Sequence, residues 1–328
     1  MFKLNRYIHS TRLKNLGVYL LHLLGKRYYG IFIDPVLSCN LRCRMCYFSD
    51  PEKRKNMKGS FKEEDLYKLA DAFFHRALKL QIGCGAEPSI FPYNNTLIAL
   101  GKAKRIPYIS MTTNANLFSG KDWLELVEAG LDEVTISLHG LHKKSYEYFM
   151  EGASYEKFHE AMTALTSVKQ KYPGFKIRIN YTVNSDNLLE LHDFFDVFGS
   201  YTFDILQIRP IQQIGKTNYN NFSWDRIYDC YDEIIKKIKI NCKERGITCL
   251  VPSKYDIVKE ENKDSGITES TYFYISPRYI WESDFDLNSD SYESYSKRTH
   301  RGKKLLKNVF HRKKSFDRDK KNLNYEVI

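Results

Sequence analysis

Between residues 31 and about 245 the sequence alternates six times between a short apolar run and a longer segment of helical period. No other feature constrains the fold as tightly. The first run is Ile31-Phe32-Ile33-Asp34-Pro35-Val36-Leu37, and later ones start near Lys79, Tyr108, Glu133, Phe175 and Phe203. Helical periodicity occupies 62–78, 94–104, 120–129, 141–171 and 223–245, with a break at Gly152-Ala153. Strands joined through helices read as parallel neighbours with right-handed crossovers. Six units rather than eight predict an α/β fold, a partial (β/α)6 TIM-like barrel of parallel strands. In such a barrel, functional residues gather at the C-terminal ends of the strands.

The segment after the first run is Ser38-Cys39-Asn40-Leu41-Arg42-Cys43-Arg44-Met45-Cys46-Tyr47. Its three cysteines have C-x3-C-x2-C spacing. Thiolates are soft ligands suited to iron–sulfur clusters or zinc. A structural zinc site takes four protein ligands, and a [4Fe–4S] cube has four irons to ligate. Three local cysteines therefore leave one position open to an outside ligand. A catalytic zinc with an open position fits the same count.

C-x3-C-x2-C directly after a first strand resembles the signature of the radical S-adenosylmethionine (radical SAM) enzymes. The resemblance implies that Cys39, Cys43 and Cys46 hold a [4Fe–4S] cluster. It implies that the open iron chelates S-adenosylmethionine, whose reductive cleavage gives a 5′-deoxyadenosyl radical that abstracts hydrogen from a substrate. The residue before the third cysteine is usually aromatic in that family and here is Met45; Tyr47, just after it, is expected beside the cofactor. Gly85-Ala86-Glu87-Pro88 resembles the Gly-Gly-Glu-Pro turn that holds the cofactor's amino group. Thr113-Asn114-Ala115 resembles the Thr-Asn-Gly strand end, although an Asn turn is its plain structural alternative. Ser137-Leu138-His139-Gly140 resembles a Ser-x-Asp-Gly end whose Ser contacts the cofactor, with His139 in place of Asp. Asn184 and Asn187 resemble a Val-Asn-x-x-Asn pattern. Where peptide-modifying relatives carry an Arg-Gly that binds the cofactor carboxylate, this chain has Glu151-Gly152, so that role is either vacant or passes elsewhere, with Arg178 as the candidate. Gln207, Arg209 and Gln213 are expected at the substrate mouth, with ordinary rim polarity as the alternative. The resemblance covers about residues 30–210.

Seven cysteines, three of them clustered, do not form the framework of a secreted disulfide protein. The late ones, Cys230, Cys242 and Cys249, lack the pairing of a C-terminal auxiliary-cluster domain, so none is expected. No apolar run is long enough to span a bilayer, and the N-terminus has no signal-peptide pattern, so a reducing cytoplasm is expected. Net charge is +11 over 328 residues. Residues 1–29 contain six Lys/Arg and no acid; residues 297–321 contain twelve against Asp317 and Asp319. The ends therefore carry more than the whole excess, and the middle is mildly acidic. The expected organisation is a basic amphipathic helix at 1–29, the barrel at 30–250 and a C-terminal extension at 251–328 with a basic, solvated tail. Residues 10–28 are expected to pack under the barrel, with a membrane surface as the alternative. The expected partners are an unidentified substrate, peptide or small polar molecule, and an electron donor such as flavodoxin or ferredoxin. Nucleic acid is not expected. The competing function is a non-catalytic iron–sulfur protein in electron transfer.

Overall fold

The computed structural model describes residues 8, 10–212, 216–221, 223, 225–252 and 267–310. Gln213, the segment 253–266 and the basic tail after Phe310 lie outside the described residues.

Among the described residues nine strands form one sheet: β1 (Tyr29–Ile33), β2 (Ala77–Ile82), β3 (Tyr108–Thr113), β4 (Glu133–Leu138), β5 (Lys176–Val183), β6 (Ile205–Pro210), β7 (Thr248–Leu250), β8 (Tyr272–Ser276) and β9 (Tyr279–Ile280). Their spatial order is β7-β6-β5-β4-β3-β2-β1-β8-β9. Every pairing is parallel except β8 with β9. Sequence neighbours are thus spatial neighbours from β1 to β7, the singly wound order of the expected partial barrel.

The helices are α1 (Thr11–Leu23), α2 (Pro51–Asn56), α3 (Glu63–Phe73), α4 (Asn94–Ala103), α5 (Gly120–Glu128), α6 (Lys143–Phe149), α7 (Tyr155–Lys171), α8 (Phe194–Phe198), α9 (Asp225–Glu244), α10 (Thr268–Thr271), α11 (Tyr292–Arg298) and α12 (Arg301–Phe310). Their starts follow local chemistry. The Ser119 hydroxyl accepts the Asp122 amide while Asp122 reaches back to the Ser119 amide, closing a capping box on α5. The Ser154 hydroxyl caps α7 by accepting the Lys157 amide. Gly152, at φ +90°, makes the break between α6 and α7.

β5 shows how the sheet is read by its two faces. Ile177, Ile179, Tyr181 and Val183 are buried against the helices, while Arg178, Asn180 and Thr182 face the lumen. Burying each large apolar side chain contributes about 1.5–3 kcal/mol, so this alternation pins the register.

The expected C-terminal extension contains a strand of the sheet. β8 pairs in parallel with β1 from Gly30↔Tyr272 to Ile33↔Ile275. Phe273 stacks on Tyr29 at 3.8 Å between ring centres and on Trp281 at 4.3 Å. Arg301 lies over Trp281 and Phe273, buried, with a nitrogen donating to the Ser270 carbonyl at 3.1 Å. One cation counted in the basic C-terminal segment is therefore part of the core.

Candidate functional site

The expected residues converge at the C-terminal ends of β1 to β5. The cysteine loop leaves β1 and is held from two sides. The Arg42 and Arg44 amides donate to the carbonyls of Glu151 and Phe149 at 2.8 and 2.9 Å. Met45 packs with Phe149, Ile211 and Tyr219, and its sulfur accepts from Asn184 Nδ2 at 3.1 Å. Met45 thus fills an apolar contact that the sequence assigned to an aromatic. Cys39, Cys43 and Cys46 are partly buried free thiols. Burial pushes Cys39 up to about 12 and Cys46 up to about 11. It also raises Cys43, with its neighbours Cys46 and Cys39 adding to the shift. Three thiols that disfavour one another's ionisation are stabilised as thiolates by a shared cation, and loading such a group releases protons. Among the described residues no three His, Cys, Asp or Glu side chains converge closely enough to hold one metal ion. Cys39, Cys43 and Cys46 nonetheless lie near enough for their charges to act on one another.

The turn after β2 faces this loop. Gly83 sits at φ +76°, where an added Cβ would meet the Thr112 carbonyl oxygen at 2.5 Å. The Glu87 amide donates to the Ser38 carbonyl at 2.9 Å, and the Tyr47 hydroxyl donates to the Gly85 carbonyl. The buried carboxylate of Asp34, at the end of β1, organises the turn. One oxygen accepts from the amides of Cys84, Gly85 and Ala86 at 2.7, 3.0 and 3.2 Å, and the other from the Tyr274 hydroxyl at 2.8 Å. Burial pushes the Asp34 carboxyl above the ordinary range against the pull of these donors. In a planar trans peptide the carbonyl opposes the N–H. Three amides turned onto Asp34 therefore turn the carbonyls of Gly83, Cys84 and Gly85 the other way, and that of Gly85 accepts the Tyr47 hydroxyl. Sequence reasoning missed Asp34; the available signal was a carboxylate inside an apolar run, just before Pro35.

Glu87 is buried, and its carboxylate accepts from four donors. One carboxylate oxygen accepts from the Ser89 amide and hydroxyl and the Thr113 hydroxyl at 3.0, 2.6 and 2.5 Å; the other accepts from the Asn114 amide at 2.9 Å. It ties the end of β2 to the end of β3. Asn114 in turn donates to Asn40 Oδ1 at 2.8 Å, reaching the cysteine loop. Ala115 follows at φ +60°, a left-handed backbone where the family pattern has Gly. Asn184 and Asn187 close the β5 end. Asn187 Oδ1 accepts the Asn184 amide, and Asn187 Nδ2 donates to the carbonyls of His139 and Thr182, all at 2.8–2.9 Å.

Ser137 lies on the lumen face, in register with Asn180 and Gln207. One step nearer the mouth is His139, whose Nδ1 is enclosed without a hydrogen-bond partner among the described residues, as is Asn180 Oδ1. Burial alone lowers the His139 pKa to about 4, so the ring is neutral at pH 7. Arg209 is exposed at the rim.

Arg178 is not brought to these residues. It stands five positions before the end of β5, with its guanidinium 2.8 Å from the buried Glu133 carboxylate and a further bond to Gln207 at 3.0 Å. Its charge is neutralised inside the barrel by Glu133, away from the strand ends that carry the other expected residues. The position of Glu151 is taken up otherwise: its carbonyl holds the cysteine loop, and its carboxylate lies 3.9 Å from Arg44.

Comparison with known proteins bears on the family and the fold. The radical SAM superfamily model matches residues 33–194. A probable GTP 3′,8-cyclase of Sulfurisphaera tokodaii is 23% identical over 209 residues, 62% of this chain and 64% of that protein. An AdoMet-dependent heme synthase of Oleidesulfovibrio alaskensis is 23% identical over 238 residues, 70% of this chain and 58% of that protein. The chain thus spans less than two thirds of the length of either. Among solved structures, Streptococcus suis SuiB bound to S-adenosylmethionine superimposes with a TM-score of 0.57 at 17% identity, over 77% of this chain and 59% of SuiB. SuiB bound to precursor peptide SuiA gives 0.58 at 18%, over 81% of this chain and 62% of SuiB. These likenesses show the fold.

Proposed function

The chain belongs to the radical SAM superfamily, and on that premise we propose that it is an enzyme that cleaves S-adenosylmethionine reductively and abstracts hydrogen from a polar substrate. The family's cofactors are a [4Fe–4S] cluster and S-adenosylmethionine, and together they supply a 5′-deoxyadenosyl radical. Cys39, Cys43 and Cys46 would hold the cluster. The observation that carries the reading is the Asp34-organised turn, which presents carbonyls toward the cysteine loop and is bonded to it through Glu87 and Tyr47. Carbonyl oxygens suit the ammonium of an amino acid moiety. A simple cluster carrier has no use for such a turn.

Tyr47, Gly85 and Ala86 would contact the cofactor. Glu87, Thr113, Asn114 and Asn184 act by positioning, because their side chains are committed to protein partners. Ser137 and His139 face the lumen beside the mouth, where a neutral imidazole can bind a polar group without the cost of desolvating a charge. Among the relatives, the GTP 3′,8-cyclase and the structure bound to a precursor peptide suggest a nucleotide or a peptide as substrate. The Ser137, Asn180 and Gln207 layer favours a substrate that inserts a small polar group into the barrel.

The test is S-adenosylmethionine binding to the anaerobically reconstituted protein, followed by the electron paramagnetic resonance of the reduced cluster. The reading predicts a changed signal on adding cofactor, and no cluster in Cys43→Ala. An unchanged signal with no binding by calorimetry would make the chain a cluster protein of another kind.

A further inference from the structure

Helix α1 is amphipathic in the opposite sense to a helix that only packs under a barrel. Its inward side is narrow. Asn15 and Val18 are buried, Asn15 Nδ2 donates to the Asn308 carbonyl at 3.1 Å, and His22 Nδ1 lies 3.0 Å from the Tyr292 hydroxyl. Its outward side carries leucines. Leu13, Leu16, Leu20 and Leu24 recur at i, i+3, i+7 and i+11, one stripe at helical period, with Leu23 at its flank. They are 37–67% exposed. Singly scattered apolar residues need no explanation, but a contiguous stripe does.

Cations flank the stripe along the chain and on the helix packed against the inward side of α1. Arg12 and Lys26 are exposed on α1 and just beyond it. Helix α12 runs antiparallel alongside, since Asn15 meets Asn308 while His22 meets Gly302. It exposes Lys303, Lys304 and Lys307 and ends in Phe310, which is 70% exposed. Residues 1–33 contain no acid, nor do residues 301–310; the sequence beyond Phe310 adds six Lys/Arg by residue 321, against Asp317 and Asp319.

We propose that the α1–α12 face seats the protein on an anionic lipid bilayer as a peripheral membrane protein. Leucines enter the boundary between headgroups and acyl chains, and the flanking ammonium and guanidinium groups meet anionic lipid headgroups. A second copy of the chain would cover the leucines but set these cations against their own kind, which disfavours pairing. An anionic bilayer satisfies both features at once. The face lies by the N-terminal ends of β1 and β8, whereas the cysteine loop leaves the other end of β1, so docking leaves the barrel mouth uncovered. This inference does not depend on the reaction proposed above.

The experiment is co-sedimentation of the full chain with vesicles of phosphatidylcholine alone and of phosphatidylcholine mixed with phosphatidylglycerol, at low and high salt. Binding is expected only to the mixed vesicles, and high salt should release the protein. The double substitution Leu16→Gln/Leu20→Gln, at exposed positions, should weaken binding by about tenfold or more with an unchanged melting temperature. Replacing Lys303, Lys304 and Lys307 with Gln should do the same. Absence of binding, equal binding to neutral vesicles, or undiminished binding by the leucine variant overturns the proposal. So does a stable dimer by light scattering that the leucine variant dissolves, which would assign the face to a second copy.

Discussion

Asp34 concentrates the chemistry of the site in one carboxylate. It accepts three consecutive amides and a tyrosine hydroxyl. Replacing it with Asn is nearly isosteric but puts an NH2 where one oxygen was. Either turn amides or Tyr274 then lose an acceptor, and an unmet buried donor costs about 1–3 kcal/mol. Asp34→Asn should keep the cluster yet weaken S-adenosylmethionine binding by about tenfold or more, read by calorimetry on the reconstituted protein. Unchanged affinity would remove the turn from the account. Glu87 was legible because it lies in a motif, whereas Asp34 was not, because only the folded chain brings it to the turn. His139 makes a second prediction. Its pKa falls from 6.5 to about 4 on burial, so the folded state binds fewer protons than the unfolded one. Stability is then full above about pH 6.5 and is lost as pH falls toward 4, by at most about 3 kcal/mol. His139→Gln should flatten that part of the stability–pH curve in denaturant titrations; an unaltered curve would contradict the enclosed, neutral ring.

At the scale of elements, the site is a set of strand ends stitched crosswise. Glu87 joins β2 to β3, Asn114 reaches the cysteine loop, and Asn187 joins β4 to β5. Asn187→Ala removes donors to two carbonyls and an acceptor for one amide at a buried site. It should cost about 2–4 kcal/mol, seen as a lower denaturant midpoint with an unchanged slope. A loss below about 0.5 kcal/mol would mean that water replaces the stitches. The strands themselves were legible because apolar runs and helical periods alternate. The break at Gly152 was legible for the same reason, since glycine is the residue that adopts its positive φ. The placing of Arg178 was not. A lumen-facing arginine reads alike at either end of a strand, and only the depth of Glu133 decides that the pair is internal.

At the scale of the whole molecule, the C-terminal segment changes what the barrel is. β8 was invisible as rhythm because four of its five residues are buried on both faces, leaving no alternation to read. It covers β1, the strand that launches the cysteine loop, and supplies Tyr274 to Asp34. Truncation after residue 252 should therefore expose Tyr29 and Phe32 on the two faces of β1, open an unpaired edge and give an aggregating protein without a cluster. A soluble truncated chain that still binds the cluster would show that residues 267–310 are dispensable. No described helix is long and apolar enough to cross a membrane. The proposed reaction is reductive cleavage of S-adenosylmethionine. The direct measurement is 5′-deoxyadenosine formed by the reconstituted protein with S-adenosylmethionine and dithionite under anaerobic conditions. The account predicts product from the wild type and none from Cys39→Ala, Cys43→Ala or Cys46→Ala. Product undiminished in those variants, or a loaded wild type that neither binds nor cleaves the cofactor, would contradict it.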